Sequence, residues 1–315
     1  MVIPVMMNRK TCLVAWISIL IPLALVTSCK SGSRGTPTLV DDVEGDGSAG
    51  IESFEQIYHL YPSPAEMLGV IDMTDMTFDA GLLAPAGMAD QYIDTRSKSH
   101  MLGVYMTDLA YAALFGRHEA TLDYLELVRT MAEEIRIDRA VDDDMIENAR
   151  ENVEYLDSLY TISNEAFMNV LAFCERNERS NTVVMMSAGA FVESLYLAVN
   201  LIDDYEKADH LLRHLADQKY TFDNFMTFAE SVRSDDENVA STIDDLQQIR
   251  KIYQGIRPIA GNVTVKAEPA SGEGVPKKLV IGGGQGRSGN ALTREEFETL
   301  RSAVITFRSK IVEGS

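Results

Sequence analysis

The sequence predicts an all-α protein, an antiparallel helical array with a small β-hairpin near its C-terminus. Three observations carry that expectation. Apolar residues recur at helical spacing almost throughout from about residue 51. No linker-like break interrupts 55–255, so one domain is expected over 51–315 although the length alone would suggest two. β-like runs appear only after Pro258. With 46% apolar and 24% charged residues the composition is that of a globular chain, which excludes disorder, collagen and coiled coil for the whole. The formal charge of −20 and the lack of any Lys/Arg cluster exclude nucleic-acid binding by ordinary phosphate attraction.

Residues 1–28 read as a signal peptide, with Arg9 and Lys10 before an apolar run from Cys12 to Val26 that is short for a transmembrane helix. Val26-Thr27-Ser28-Cys29 resembles the lipobox of bacterial lipoproteins. The resemblance implies cleavage before Cys29, a diacylglyceryl thioether on its sulfur and acylation of the new N-terminus. Several acyl chains anchor stably where one binds marginally. Loss of Arg9 and Lys10 takes the charge to −22. Cys12 leaves with the signal and Cys29 is lipidated, so Cys174 has no intrachain partner and a disulfide framework is excluded. Its helical spacing from Phe167, Val170 and Leu171 makes Cys174 a buried structural thiol. Lys30, where an Asp would favour inner-membrane retention, points to the outer membrane, and the absence of an acidic run after Cys29 points to its periplasmic face. Residues 29–50 form a flexible acidic tether. Within it Asp42, Glu44, Asp46 and Gly47 match the first half of a calcium loop, but position 12 is Ser53 and no helix precedes it.

The elements of the body follow in order. Ser63-Pro64 starts a helix, with Ser as N-cap and Pro in the first turn. Gly81, Pro85 and Gly87 make 77–93 a packed loop with short helical turns. A helix over about 97–115 places Leu102, Tyr105, Met106, Leu109, Ala112 and Ala113 on one face and ends at Gly116. Further helices are expected at about 118–136, 142–155, 158–177, 181–201, 205–218, 221–233 and 237–254. An offset of 86 carries the 97–115 face onto Ala188, Phe191, Val192, Leu195, Ala198 and Val199, and Gly103 onto Gly189. Mid-helix Gly costs about 1 kcal/mol against Ala, so its use twice in one register suggests close helix approach. Only three of the thirteen pairs from Met101 to Ala113 are identical, so a duplicated helical hairpin and convergent patterning both stay open. Two β-like runs, within 262–266 and 277–281, flank a Gly/Pro-rich turn and predict a hairpin over about 262–281. Thr293 and Glu296 predict a capping box for a last helix, about 294–312.

No catalytic motif survives inspection. Gly282–Gly289 follows a strand but lacks the Lys-Ser/Thr of a phosphate loop, and the next helix starts too late. His118-Glu119 has Leu122 where a zinc-binding His is needed. His210 and His214 have the i, i+4 spacing of two metal ligands without a recognisable third. The acidic clusters Asp142–Asp144, Asp203-Asp204, Asp235–Glu237 and Asp244-Asp245 are read as helix starts, where they cap free N–H groups. Tyr58, Tyr61, Tyr92 and Tyr105 cluster around the 77–93 loop and are candidate interface anchors or, alternatively, cover for that loop's core.

Tyr61-Pro-Ser-Pro-Ala-Glu-Met67 together with Gly103-Val-Tyr-Met-Thr-Asp-Leu-Ala-Tyr-Ala-Ala-Leu-Phe-Gly116 resembles a family of uncharacterised helical lipoproteins of Bacteroidota envelopes, over roughly 55–312. The resemblance implies localisation and fold and brings no catalytic residues. The expected function is that of a membrane-anchored, non-enzymatic interaction or scaffold protein, held through Cys29, with another envelope protein as its candidate partner. A small-ligand-binding lipoprotein and a hydrolase using a carboxylate pair are the alternatives. No cofactor or metal is expected.

Overall fold

Two helices, Thr95–Leu114 and Ser180–Asn200, form the centre of the body and are buried nearly all round. The computed structural model describes residues 63–69, 71, 76–152, 154–233, 236–256, 264–267, 279–282 and 292–314. All belong to one compact unit, Ile51–Ser315. In chain order the helices are α1 (Pro64–Leu68), α2 (Thr95–Leu114), α3 (His118–Glu134), α4 (Asp143–Glu151), α5 (Leu156–Arg176), α6 (Ser180–Asn200), α7 (Asp209–Ser231), α8 (Glu237–Gly255) and α9 (Arg294–Glu313). The fold class is all-α. The expected signal peptide and the expected tether with Cys29, Asp42, Glu44 and Asp46 lie outside the described residues, as does most of Gly282–Gly289. The same holds for the turn and both flanks of the expected 262–281 hairpin. Only its two short backbone stretches, Thr264–Ala267 and Leu279–Gly282, are described, as an antiparallel pair with Val265 opposite Ile281.

Most boundaries fall within a few residues of the periodicity. One expectation is corrected: the helices read at 205–218 and 221–233 are a single α7, preceded by a 3₁₀ turn at Tyr205–Lys207. Lys219-Tyr220 contains neither Gly nor Pro, so nothing breaks the backbone ladder there. A second correction concerns Asp244 and Asp245, which lie in the middle of α8 and act there as ion-pair partners. Asp142, Asp204 and Asp236 do cap helical turns through their carboxylates. Thr293 and Glu296 form the reciprocal capping box of α9.

Three chain reversals share one device. Gly116, Arg136 and Glu178 take positive φ after α2, α3 and α5, at 60°, 62° and 55°. In each the following N–H bonds back to a carbonyl five residues earlier, as Arg117 does to Ala112 at 2.9 Å. Gly116 marks its reversal in sequence; Arg136 and Glu178 do not.

α2 packs most extensively on α6, and also on α3 and α5; α9 lies on α6 and α8. The α2–α6 crossing is set by two glycines. A Cβ on Gly103 would lie 1.9 Å from the Met186 carbonyl oxygen, and one on Gly189 would lie 2.1 Å from that of His100. The contact is reciprocal: each glycine faces the residue three positions before the other. α6 is also the one helix among the described residues long and apolar enough to cross a bilayer, yet 94% of that stretch is buried inside the body, so packing already occupies its apolar surface.

Candidate functional site

The irregular segment 76–94 crosses the α2/α3/α9 region with backbone groups that a regular element would have paired internally. Core side chains pair them instead. The Tyr111 hydroxyl accepts from Asp79 N at 3.0 Å, and Asp108 Oδ2 accepts from Ala84 N at 2.9 Å. The Tyr124 hydroxyl donates to Ala84 O and Arg308 Nη2 to Leu82 O at 3.2 Å. In return the segment's own Tyr92 donates to Val312 O, at the end of α9, at 2.7 Å. Tyr92 and Tyr105 are therefore core residues, 4% and 0% exposed. Their reading as surface anchors is corrected, while Tyr58 and Tyr61 lie outside the described residues.

At the centre of this network Asp108 and Glu193 are both fully buried. Arg308 grips Glu193 with Nε at 3.0 Å and Nη2 at 3.2 Å, and its guanidinium stacks 4.2 Å from the Tyr196 ring centre. Burial raises both carboxyls above their usual range; the Glu193 charge raises Asp108 further, and Arg308 partly offsets the rise at Glu193. Among the described residues Asp108 Oδ1 has no hydrogen-bond donor, and the Asp108 and Glu193 carboxyls lie within hydrogen-bonding reach of each other. A protonated Asp108 donating to a Glu193 carboxylate held by Arg308 accounts for this arrangement. This is a carboxyl pair of the kind a hydrolase uses, but it is sealed in the core and occupied in holding the loop.

The open site lies elsewhere. A cleft of about 350 Å³ is bounded by the start of α2 (Asp94, Arg96, Ser97, His100), by Asn238 and Asp245 of α8, and by Phe307, Lys310 and Ile311 of α9. Asp245 is clamped by Arg96 at 2.7 Å and Lys310 at 2.5 Å. Asp94 caps α2, accepting from the Ser97 N–H at 2.9 Å and the Ser97 hydroxyl at 2.7 Å. His100 Nε2 lies 3.1 Å from Thr242 Oγ1, whose own proton goes to Asn238 O at 2.8 Å. His100 must then donate through Nε2, which leaves Nδ1 with a lone pair. Burial first, then Arg96, push its pKa down to about 3, so the ring is neutral. Ile93, immediately before the cleft wall, is 88% exposed.

The remaining sequence candidates are placed as follows. His214 Nε2 sits 3.0 Å from Met67 O and 3.0 Å from Gln218 Nε2, whereas His210 is exposed in a smaller cleft beside Met76 and Leu201. Among the described residues no group of three His, Cys, Asp or Glu is arranged to hold a metal ion. Cys174 is buried, and burial pushes its thiol up to about 11. Asp108, Glu193, Arg96 and Lys310 are absent from the sequence candidates, and Asp245 is there only as part of an acidic cluster. The one signal in the sequence is for Asp108 and Glu193, each a lone charge within an apolar run. The chain matches no known family model, no curated protein and no solved structure.

Proposed function

We propose that the chain is a bacterial envelope lipoprotein, anchored through Cys29 and acting by contact rather than catalysis. The observation that supports this best is where the reactive groups sit. Carboxyls of shifted acidity and the thiol are sealed inside, whereas the solvent-facing cleft carries Arg96 and Lys310 sharing one acid, Asp245, near an exposed apolar side chain, Ile93. Such an arrangement recognises a partner rather than transforms it. We place the anchor in the outer membrane, facing the periplasm, on the strength of Lys30 and the absence of an acidic run after Cys29. The charge of −22 after cleavage favours a basic or cation-bridged partner. The helices are read as an antiparallel array in which α2 and α6 are equivalent members of a duplicated hairpin. The reciprocal Gly103/Gly189 contact supports that reading, because a duplicated element packed on itself makes the same contact twice. A hairpin over 262–281 completes the array.

Two outcomes test the function. Cys29→Ser is expected to abolish palmitate labelling and move the protein from the membrane to the soluble fraction; labelling that persists removes the anchor. A photo-crosslinking residue at Ile93 is expected to trap one discrete envelope protein, less of it as salt rises through screening. A probe at exposed Tyr155 serves as control, and identical products from both positions would count against a specific contact there. A second reading, a small ligand held in the cleft, is favoured by the cleft volume, which falls in the usual range of ligand sites.

A further inference from the structure

The acceptors and donors of the cleft do not balance. Each oxygen of Asp94 accepts one bond from Ser97, and each oxygen of Asp245 one from Arg96 or Lys310, so both carboxylates are engaged within the protein. The cations have donors to spare: among the described residues Arg96 uses one of its five N–H donors, and its Nε is buried with no acceptor. Lys310 uses one of its three donors. His100, 4% exposed, lines the same cleft, and with Nε2 donating to Thr242 its Nδ1 carries the ring's lone pair. Phe307 and Ile311 supply an apolar wall, the Phe307 ring standing edge-on to His100 at 6.5 Å. The unmet demand is for one anionic acceptor near Lys310 and Arg96, and one hydrogen-bond donor near His100.

We propose that this cleft binds a small α-hydroxy carboxylate, its carboxylate at Lys310 and Arg96 and its hydroxyl donating to His100 Nδ1. A carboxylate suits the cations because it accepts several charge-assisted bonds at once. The donor is a hydroxyl rather than an ammonium, because a cation there would be desolvated in the buried floor beside His100 and repelled by Arg96 and, to a smaller extent, Lys310. Asp94 opposes that effect and is outweighed. This deepens the small-ligand reading of the cleft and is independent of the partner captured at Ile93.

The test is calorimetric titration of the full lipidated chain in detergent with L-lactate, propionate, L-alanine and lactamide. L-lactate is expected to bind saturably. Propionate lacks the hydroxyl and L-alanine replaces it with ammonium, so each is expected to bind at least about tenfold more weakly, since one lost or mismatched hydrogen bond costs that much. Lactamide, without the charge, is expected to give no binding heat. Lys310→Gln, at an exposed position where a lost ion pair changes stability little, is expected to weaken L-lactate at least about tenfold with Tm unchanged. No heat with L-lactate, equal binding of propionate, or undiminished binding by Lys310→Gln would each overturn the assignment. The Ile93 crosslink and the Cys29→Ser fractionation would stand in any of those cases, so the two readings fail separately.

Discussion

Gly103→Ala is expected to destabilise the body by about 3 kcal/mol or more, the upper end of what overpacking costs. The added Cβ would sit 1.9 Å from Met186 O and 2.7 Å from Ala190 N, both backbone atoms of α6. A crowded side chain can change rotamer, but a crowded carbonyl moves only with its helix. Relief therefore requires separating the two central helices, which are buried nearly all round. In a body of this size such a loss lowers Tm by roughly 6–12 °C. Gly189→Ala should behave alike, its Cβ lying 2.1 Å from His100 O. The double variant should cost less than the two singles added, because one separation accommodates both methyls. Gly87→Ala, with nothing within 4 Å of the new carbon, is the control and should stay within about 0.5 kcal/mol of wild type. Denaturant titration reads all four. A Gly103→Ala protein as stable as the Gly87→Ala control would mean that the helices do not approach in this way.

That crossing is partly legible in the sequence. Two mid-helix glycines 86 residues apart in one apolar register announce a close approach, although not that they face each other. Helix positions were legible because the periodicity is strong, and the α9 start because a capping box is a local device. The α7 interior was misread as a break because apolar periodicity thins around Lys219-Tyr220 while the backbone continues. Tyrosine was harder. At a surface it is an anchor and in a core it is a donor to stranded carbonyls, and the sequence around Tyr92 and Tyr105 reads the same for both. The cleft was invisible. Arg96 and Asp245 are 149 residues apart and Lys310 and Asp245 are 65 apart, and only the packing of α2, α8 and α9 brings them together. The carboxyl pair was invisible for the same reason: Asp108 and Glu193 come from different helices, each a lone charge in an apolar run.

The second large effect concerns that pair. Arg308→Met is expected to cost about 3–5 kcal/mol near neutral pH, the usual result of removing one partner from a buried ion pair. The mutation leaves Glu193 without its counter-charge, strips the donor from Leu82 O and removes the cation from the Tyr196 ring. Part of the loss should return in acid, where Glu193 can take a proton instead of standing as an unpaired charge. Glu193→Gln combined with Arg308→Met should therefore be less destabilised than Arg308→Met alone. Asp108→Asn should behave in the opposite sense. Asp108 binds its proton more tightly folded than unfolded, because burial and then the Glu193 charge raise its pKa well above the ordinary 3.8. The stability it contributes is fully present below that ordinary value and is lost as pH rises through the folded one. Asparagine keeps the acceptor for Ala84 N and a donor toward Glu193 at every pH. The variant should match wild type near pH 4, exceed it in mild alkali, and show a flatter stability profile between. Urea titrations across pH would read the slope. A wild-type profile already flat over that range, or an Asp108→Asn protein that loses stability as pH rises as steeply as wild type, would mean that Asp108 does not carry the proton.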